Sequence, residues 1–291
     1  MRATRFQHTI GRPCQVSGRG YWSGQPITLT FLPAKPHTGI VFVRTDLKEC
    51  PSVPAVVDYR VDMPLRTRLA QGTAMVDMVE HVLATLLALQ IDNVEIHCTN
   101  CEMPSLDGSS HAYALALASV GKRLQSTERA QFQIAEPLRI GNDHQWIMAL
   151  PGNASELTIE YRLDYGAKSP IGQAVYSALV TEQTFLQDLA PARTFITIAE
   201  AEQLQQQGLA RHVTPRDLLV FDQAGPIDNS LRFPDECARH KALDLLGDLA
   251  LAGVDIRGKI VAFRSGHQLN GSLAQALKNA YAAQTRLRKA V

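Results

Sequence analysis

The sequence predicts an α+β protein of two tandem halves, and three observations carry the prediction. The chain has 291 residues, and at roughly 100–200 residues per domain that length suggests two domains. Each half mixes short strands of antiparallel character with about two helices, the pattern of helices gathered on one face of a sheet. Between the halves lies a polar stretch, KRLQSTERAQ, at residues 122–131. The expected division is therefore a first α+β domain over 1–122, a linker over 123–131 and a second α+β domain over 132–291.

The elements follow in order. Residues 27–33 (ITLTFLP) alternate apolar and polar, and 39–45 (GIVFVRT) is a β-branched run, so both read as strands. Over 79–89, Val79, Val82, Leu83, Leu86 and Leu87 fall on one side at helical period. The segment IDNVEIHC turns and enters a strand, PSLDGSS has turn chemistry, and HAYALALASVG reads as a second helix ending at Gly121. After the polar stretch, alternating segments near 132–140, 145–150 and 156–163 predict an antiparallel sheet. IAEAEQLQQQG is a helix closed by Gly208, DLLVFD a strand, 235–253 a long helix closed by Gly253 and GKIVAF a strand. A last helix runs from about Leu269. No sequence repeat relates the halves.

Composition narrows the function classes. A formal net charge of +1 without runs of one sign offers neither a nucleic-acid footprint nor a polybasic membrane patch. The opening segment MRATRFQHTIGRP has no apolar run after its charges, and no window holds 18 uninterrupted apolar residues. Neither secretion nor a membrane span is expected. Five scattered cysteines are too few for a disulfide framework and fit a reducing cytoplasm. Cys98 and Cys101 form a CxxC, but no second pair accompanies it; the plain reading is a strand end followed by a loop. No heptad seam is present, and a monomer is expected.

The chemistry gathers on two helices. On the long helix His240, Asp244 and Asp248 stand at i, i+4 and i+8, one side of a wheel of about 100° per residue, with Lys241 at its border and Gly247 nearby. Leu245, Leu246, Leu249 and Ala242 lie opposite. Two readings are open: a solvated face with i,i+4 charge pairs, or an imidazole and a carboxylate offered to one divalent cation. The first helix opens with Glu80 and His81 beside Ala84, Thr85 and Ala88, small residues that permit close packing. Together the helices supply two histidines, one Asp and a spare Glu. Two imidazoles with one carboxylate make a catalytic zinc set with a fourth position for water, and a nearby Glu is what would deprotonate that water. His267 sits in RSGHQLN, where Ser and Gly flanks suggest an exposed turn. If the fold brings it near the metal, Asp248 would hold it charged, as an electrophile or a proton donor to a leaving amine. Thr194 of ARTF offers a hydroxyl to the same oxyanion. His8, His37, His97, His111, His144 and His212 lack such partners in sequence and read as structural.

The strings VEH (79–81), MPSLDGS (103–109), ARTF (192–195), RHKALDLLGDL (239–249) and FRSGHQLN (263–270) resemble, in order and spacing, the UDP-3-O-acyl-N-acetylglucosamine deacetylases of lipid A biosynthesis. The resemblance covers nearly the whole chain, and the combination of VEH, HKxxDxxGDL and SGH is specific. It implies two α+β domains, each a sheet layered on two helices, with the helices sandwiched between the sheets. It implies His81, His240 and Asp244 as Zn2+ ligands and Glu80 as the base for the attacking water. Thr194 and cationic His267, oriented by Asp248, would hold the oxyanion. The products would be acetate and a free 2-amine on a UDP-sugar that carries an acyl chain. Lys241 would add positive charge where the family meets the diphosphate, Arg264 stands at a phosphate-facing base, and Tyr165 at a uracil-stacking position. An inserted hairpin at about 209–231, beside Phe195, would surround the acyl passage.

The chain also departs from the family pattern. Its first-domain turn reads GRGYWSG, with Trp22 where G-x-G-x-H-[ST]-G has histidine. His212-Val213-Thr214 replaces G-G-S, and MPLRTRLAQG brings Arg66 and Arg68 to the first-domain insert. These departures leave open a deacetylase of a different N-acetylated sugar nucleotide or related amide, and a non-catalytic binding paralogue for a sugar nucleotide or lipid precursor.

Overall fold

The computed structural model describes residues 5–289. Its helices are α1 (Glu80–Ala88), α2 (His111–Val120), α3 (Glu182–Thr184), α4 (Ile198–Gln206), α5 (Glu236–Ala250) and α6 (His267–Lys289). The first half holds a five-stranded sheet in the order Cys14–Arg19, Pro26–Pro33, Val94–Cys98, Ile40–Arg44, Ser52–Pro54. The second half holds the order Leu138–Gly141, Trp146–Leu150, Asp255–Phe263, Leu157–Asp164, Gln173–Leu179, with Gln131–Gln133 added alongside Asp255–Phe263. Pairing is mainly antiparallel, as the α+β reading expects. Alternation decides which face is buried: Ile27, Leu29 and Phe31 point into the core, while Thr28 and Thr30 are half-buried.

One exception to antiparallel pairing recurs in both halves and positions the site. Ile40–Arg44 runs parallel to Val94–Cys98, and Leu157–Asp164 runs parallel to Asp255–Phe263. Parallel neighbours need a crossover connection. In the first half that connection contains α1 and in the second it contains α5, so the two helices singled out by sequence hold equivalent places in two halves that share no visible sequence repeat.

These helices cross closely. A Cβ on Gly247 would lie 2.0 Å from the carbonyl oxygen of Glu80, so only glycine fits there. Almost the whole circumference of α5 is buried, its polar side included. The solvated-face reading of His240, Asp244 and Asp248 is thereby overturned: α5 has α1 on one side and the strands Leu157–Asp164 and Gln173–Leu179 on another.

The stretch expected as a linker connects the halves as a strand. Lys122–Glu128 pairs antiparallel with Phe6–Ile10. Beside this ribbon, Arg5 donates to Asp92 at 2.7 Å and to Asp255 at 2.6 and 2.8 Å. Arg129 reaches both carboxylates, at 3.1 and 3.0 Å. The network ties one carboxylate of each half to the same two guanidinium groups.

The insert at 209–231 contains an antiparallel pair, Leu219–Asp222 with Gly225–Pro226, and Leu219–Asp222 also runs parallel to Phe195–Thr197. Cys98 ends its strand, Cys101 follows in the loop, and all five thiols are free. Among the described residues no helix is long and apolar enough to cross a membrane.

Candidate active site

The helix crossing brings three ligand-type side chains together. One donor atom each from His81, His240 and Asp244 lies within 4.8 Å of the others, the one such group found among the described residues. Asp244 Oδ1 is 3.6 Å from His81 Nε2 and 3.5 Å from His240 Nε2. The two rings stand nearly perpendicular, with centroids 5.1 Å apart. His240 Nδ1 donates to the Ala192 carbonyl at 3.1 Å, which fixes the ring and leaves the Nε2 lone pair facing the group. Burial, helped by His81 and Lys241, pushes His240 down to about 3 against the pull of Asp244, so its ring is neutral and able to donate that pair.

Ala192 is itself held in place by its neighbour. Arg193 donates its backbone N–H and its Nε to Glu236 Oε1 at 3.1 and 2.8 Å, and its remaining nitrogens reach Asn229 and the Ser230 carbonyl. Both ends of this ion pair are buried. The ARTF segment thus carries its own support beneath the histidine that it orients.

Glu80 is buried beside the group, and desolvation raises its carboxyl above the ordinary range. Lys241 Nζ donates to Asp244 Oδ2 at 2.9 Å. Burial opposes both charges, yet Lys241 and the neighbouring imidazoles hold Asp244 well below the usual carboxylate value, and Asp244 in turn raises Lys241.

The structure corrects the expected exposure of His267. Its ring is 7% exposed, and the residue opens α6 instead of lying in a free turn. The Tyr161 hydroxyl donates to the Ser265 carbonyl and draws the strand-to-helix bend inward. His267 Nδ1 donates to Asp248 Oδ2 at 2.9 Å, and its Nε2 is 3.9 Å from Asp244. Burial works against the imidazolium, but Asp248 outweighs it and lifts His267 to about 9. Asp248 also accepts from Asn270 Nδ2 at 2.9 Å and from the Thr67 hydroxyl at 2.5 Å.

Comparison with known proteins gives the same direction. A family model described as LpxC, UDP-3-O-acyl N-acetylglycosamine deacetylase, matches residues 7–279. The chain belongs to this deacetylase family. Proteins named UDP-3-O-acyl-N-acetylglucosamine deacetylase are similar over most of their length. The one from Solibacter usitatus is 36% identical over 92% of this chain and 90% of its own. Those from Nostoc and Synechocystis are each 37% identical, over 92% and 94% of this chain and 97% and 99% of their own.

Of the other residues expected from the resemblance, Phe195 and Lys241 lie beside His240, and Tyr165 packs on Phe195. The Phe195 ring lies 6.2 Å from His240 and 5.7 Å from Tyr165, and Lys241 Nζ is 5.8 Å from its centroid. Tyr165 is 43% exposed, open enough to stack a ligand ring. Thr194 is held beside the turn by its N–H to the Gly108 carbonyl, 2.7 Å. Arg264 is exposed and takes a left-handed backbone, φ 52°, directly before the bend that delivers His267.

The departures from the family pattern are accommodated in one patch. The Arg66 guanidinium lies 4.7 Å from the centre of the Trp22 ring and 3.4 Å from Asp77, while Arg68 clasps Asp77 at 2.5 and 2.6 Å. His212 pairs with the Gly20 carbonyl at 2.9 Å, and its ring covers Gly24, where φ is 67° and a Cβ would meet the imidazole at 2.7 Å. The insert is thereby docked on the first half. Between α4 and Leu219–Asp222 lies an apolar cavity of about 320 Å³, lined among others by Tyr21, Ile196, Ala201, Val213, Leu218 and Val220. Arg66 and Arg68 are not in its wall.

Sequence reasoning missed Thr67 and Asn270. Asn270 lies within FRSGHQLN, where nothing local signals its bond to Asp248, and Thr67 lies between two arginines with its partner Asp248 on a distant helix.

Proposed function

We propose that this protein is a zinc-dependent deacetylase that hydrolyses the N-acetyl group of a UDP-3-O-acyl-N-acetylglucosamine, giving acetate and the free 2-amine, as a cytoplasmic step of lipid A biosynthesis. The observation that carries the reading is the convergence of His81, His240 and Asp244 with buried Glu80 and the His267–Asp248 pair, in a chain of this family. Five free thiols fit a reducing compartment.

The donor set suits zinc: two imidazoles, one with its far nitrogen already committed to a carbonyl, and one carboxylate. His81, His240 and Asp244 would hold the ion, which when bound supplies a Lewis acid that acidifies water and polarises a carbonyl. Glu80 takes the proton from the attacking water, and its raised proton affinity suits a base working near neutral pH. Cationic His267 donates to the oxygen that gains charge and then supplies a proton to the leaving amine, with Asp248 fixing its ring. Thr194 adds a hydroxyl to that oxyanion. Lys241 and Arg264 present positive charge to the diphosphate, and Tyr165 offers a face to the uracil ring. The apolar cavity between α4 and Leu219–Asp222 takes the acyl chain.

Acetate release by the purified protein tests this, with the UDP-sugar supplied in 3-O-acylated and non-acylated forms. The reading expects release from the acylated form, abolished by chelation and restored by zinc. No release from either form would overturn it.

A further inference from the structure

Thr67 has no exposed surface and sits where three elements of the site meet. Its backbone N–H donates to Glu80 Oε2 at 3.1 Å. Its carbonyl accepts from Met78 N at 2.9 Å, two residues before Glu80. Its hydroxyl donates to Asp248 Oδ1 at 2.5 Å, and the hydroxyl oxygen lies 3.2 Å from His267 Nδ1, whose proton goes mainly to Asp248 Oδ2 at 2.9 Å. Every polar atom of the residue is thus engaged.

We propose that Thr67 is a positioning residue for the deacetylation proposed above, holding Glu80 and the Asp248–His267 pair in one frame through its backbone N–H on one and its hydroxyl on the other. The two carboxylates stand on different helices and different halves, and Thr67 bonds to both. Asp248 is fully buried, and a buried carboxylate relies on donors for each oxygen. Oδ2 has two, from His267 and Asn270; Oδ1 has the Thr67 hydroxyl alone among the described residues. Without it the carboxylate is free to rotate toward its remaining donors and to tilt the His267 ring with it. The segment that delivers Thr67 is staked on both sides, by Arg68 on Asp77 and by Arg66 over Trp22, which keeps the hydroxyl from drifting. This gives the two arginines that depart from the family pattern a structural task at the site.

The test compares Thr67→Val, which keeps the backbone and removes the hydroxyl, with Thr67→Ser, which keeps both; Thr67→Ala repeats the removal with a smaller side chain. Rates are taken per folded, zinc-loaded protein. The proposal expects kcat to fall about 10–100-fold in the valine and alanine variants with KM within about twofold and zinc content unchanged, and the serine variant to recover most of that loss. A second reading needs no substrate: the NMR signal of the His267 Nδ1 proton moves in the valine and alanine variants and stays in the serine variant. Parent-like kcat with an unmoved ring signal in Thr67→Val or Thr67→Ala overturns the proposal. A parent protein that releases no acetate overturns the deacetylase reading instead, and the ring signal still decides whether Thr67 positions His267.

Discussion

The carbonyl oxygen of Glu80 stands 2.0 Å from where a Cβ on Gly247 would be, so α1 and α5 meet backbone to backbone at the point where their functional side chains converge. Gly247→Ala must push the helices apart. Overpacking of this kind costs roughly 1–3 kcal/mol, and the added separation spreads His81 from His240 and Asp244. The expected result is a lowered melting temperature together with at least about tenfold weaker zinc binding, read by thermal denaturation and by metal titration. Parent-like values in both would mean that the close crossing does not set the site.

Glu80 and His81 are neighbours with separate tasks, and substitution separates them. Glu80→Ala should keep zinc and lose about 10²–10⁴-fold in turnover, the usual cost of removing a general base. Steady-state acetate release beside metal analysis of the same sample checks this. Turnover near that of the parent would remove Glu80 from the mechanism.

The network between the halves predicts a pH dependence of stability. Burial opposes the charge on Asp255, but Arg5 and Arg129 hold its carboxyl below the ordinary value of 3.8. A carboxylate with a depressed folded value contributes stability that is complete above its unfolded value and lost as pH falls through the folded one. Breaking a buried pair costs about 3–5 kcal/mol; with the Asp255 side chain 15% exposed, about 1–3 kcal/mol is expected here. Denaturation of the parent and Asp255→Asn should therefore show a clear gap at pH 7 that narrows toward pH 3. A gap that widens as the pH falls would contradict this sign.

Ala201 lines the apolar cavity beside the insert, and a phenylalanine there would take up space needed by an acyl chain. Each methylene kept from burial costs about 0.8 kcal/mol, so excluding two weakens the acylated substrate roughly tenfold. KM for that substrate should rise in Ala201→Phe, with zinc content unaltered. An unchanged KM would place the chain elsewhere.

Much of this was legible in the sequence because periodicity and caps are local. The helix α1 falls where its apolar spacing puts it, α2 and α4 fall where their segments and closing glycines do, and Gly121 and Gly208 follow these two with φ of 63° and 81°. What sequence could not show was what covers an element. The polar stripe of α5 read as well for a solvated face as for an ion site, and only the crossing with α1 decided between them. His267 read as exposed because Ser265 and Gly266 favour a turn; a bond from Tyr161, more than a hundred residues earlier, tucks that turn inside. Residues 122–128 carry no strand alternation because the strand they form is itself exposed or half-buried along its whole length, while the buried side of the ribbon belongs to Phe6–Ile10. Thr67 gave no local signal, since its partners Asp248 and His267 lie 181 and 200 residues away.

The central claim is that two helices from different halves grip one ion through His81, His240 and Asp244. Zinc titration of the chelated protein, followed calorimetrically for the parent and for His240→Ala, tests it most directly. The account predicts one tight site in the parent and its loss in the variant, while the variant remains folded by circular dichroism. Stoichiometric, parent-like zinc binding by His240→Ala would contradict it.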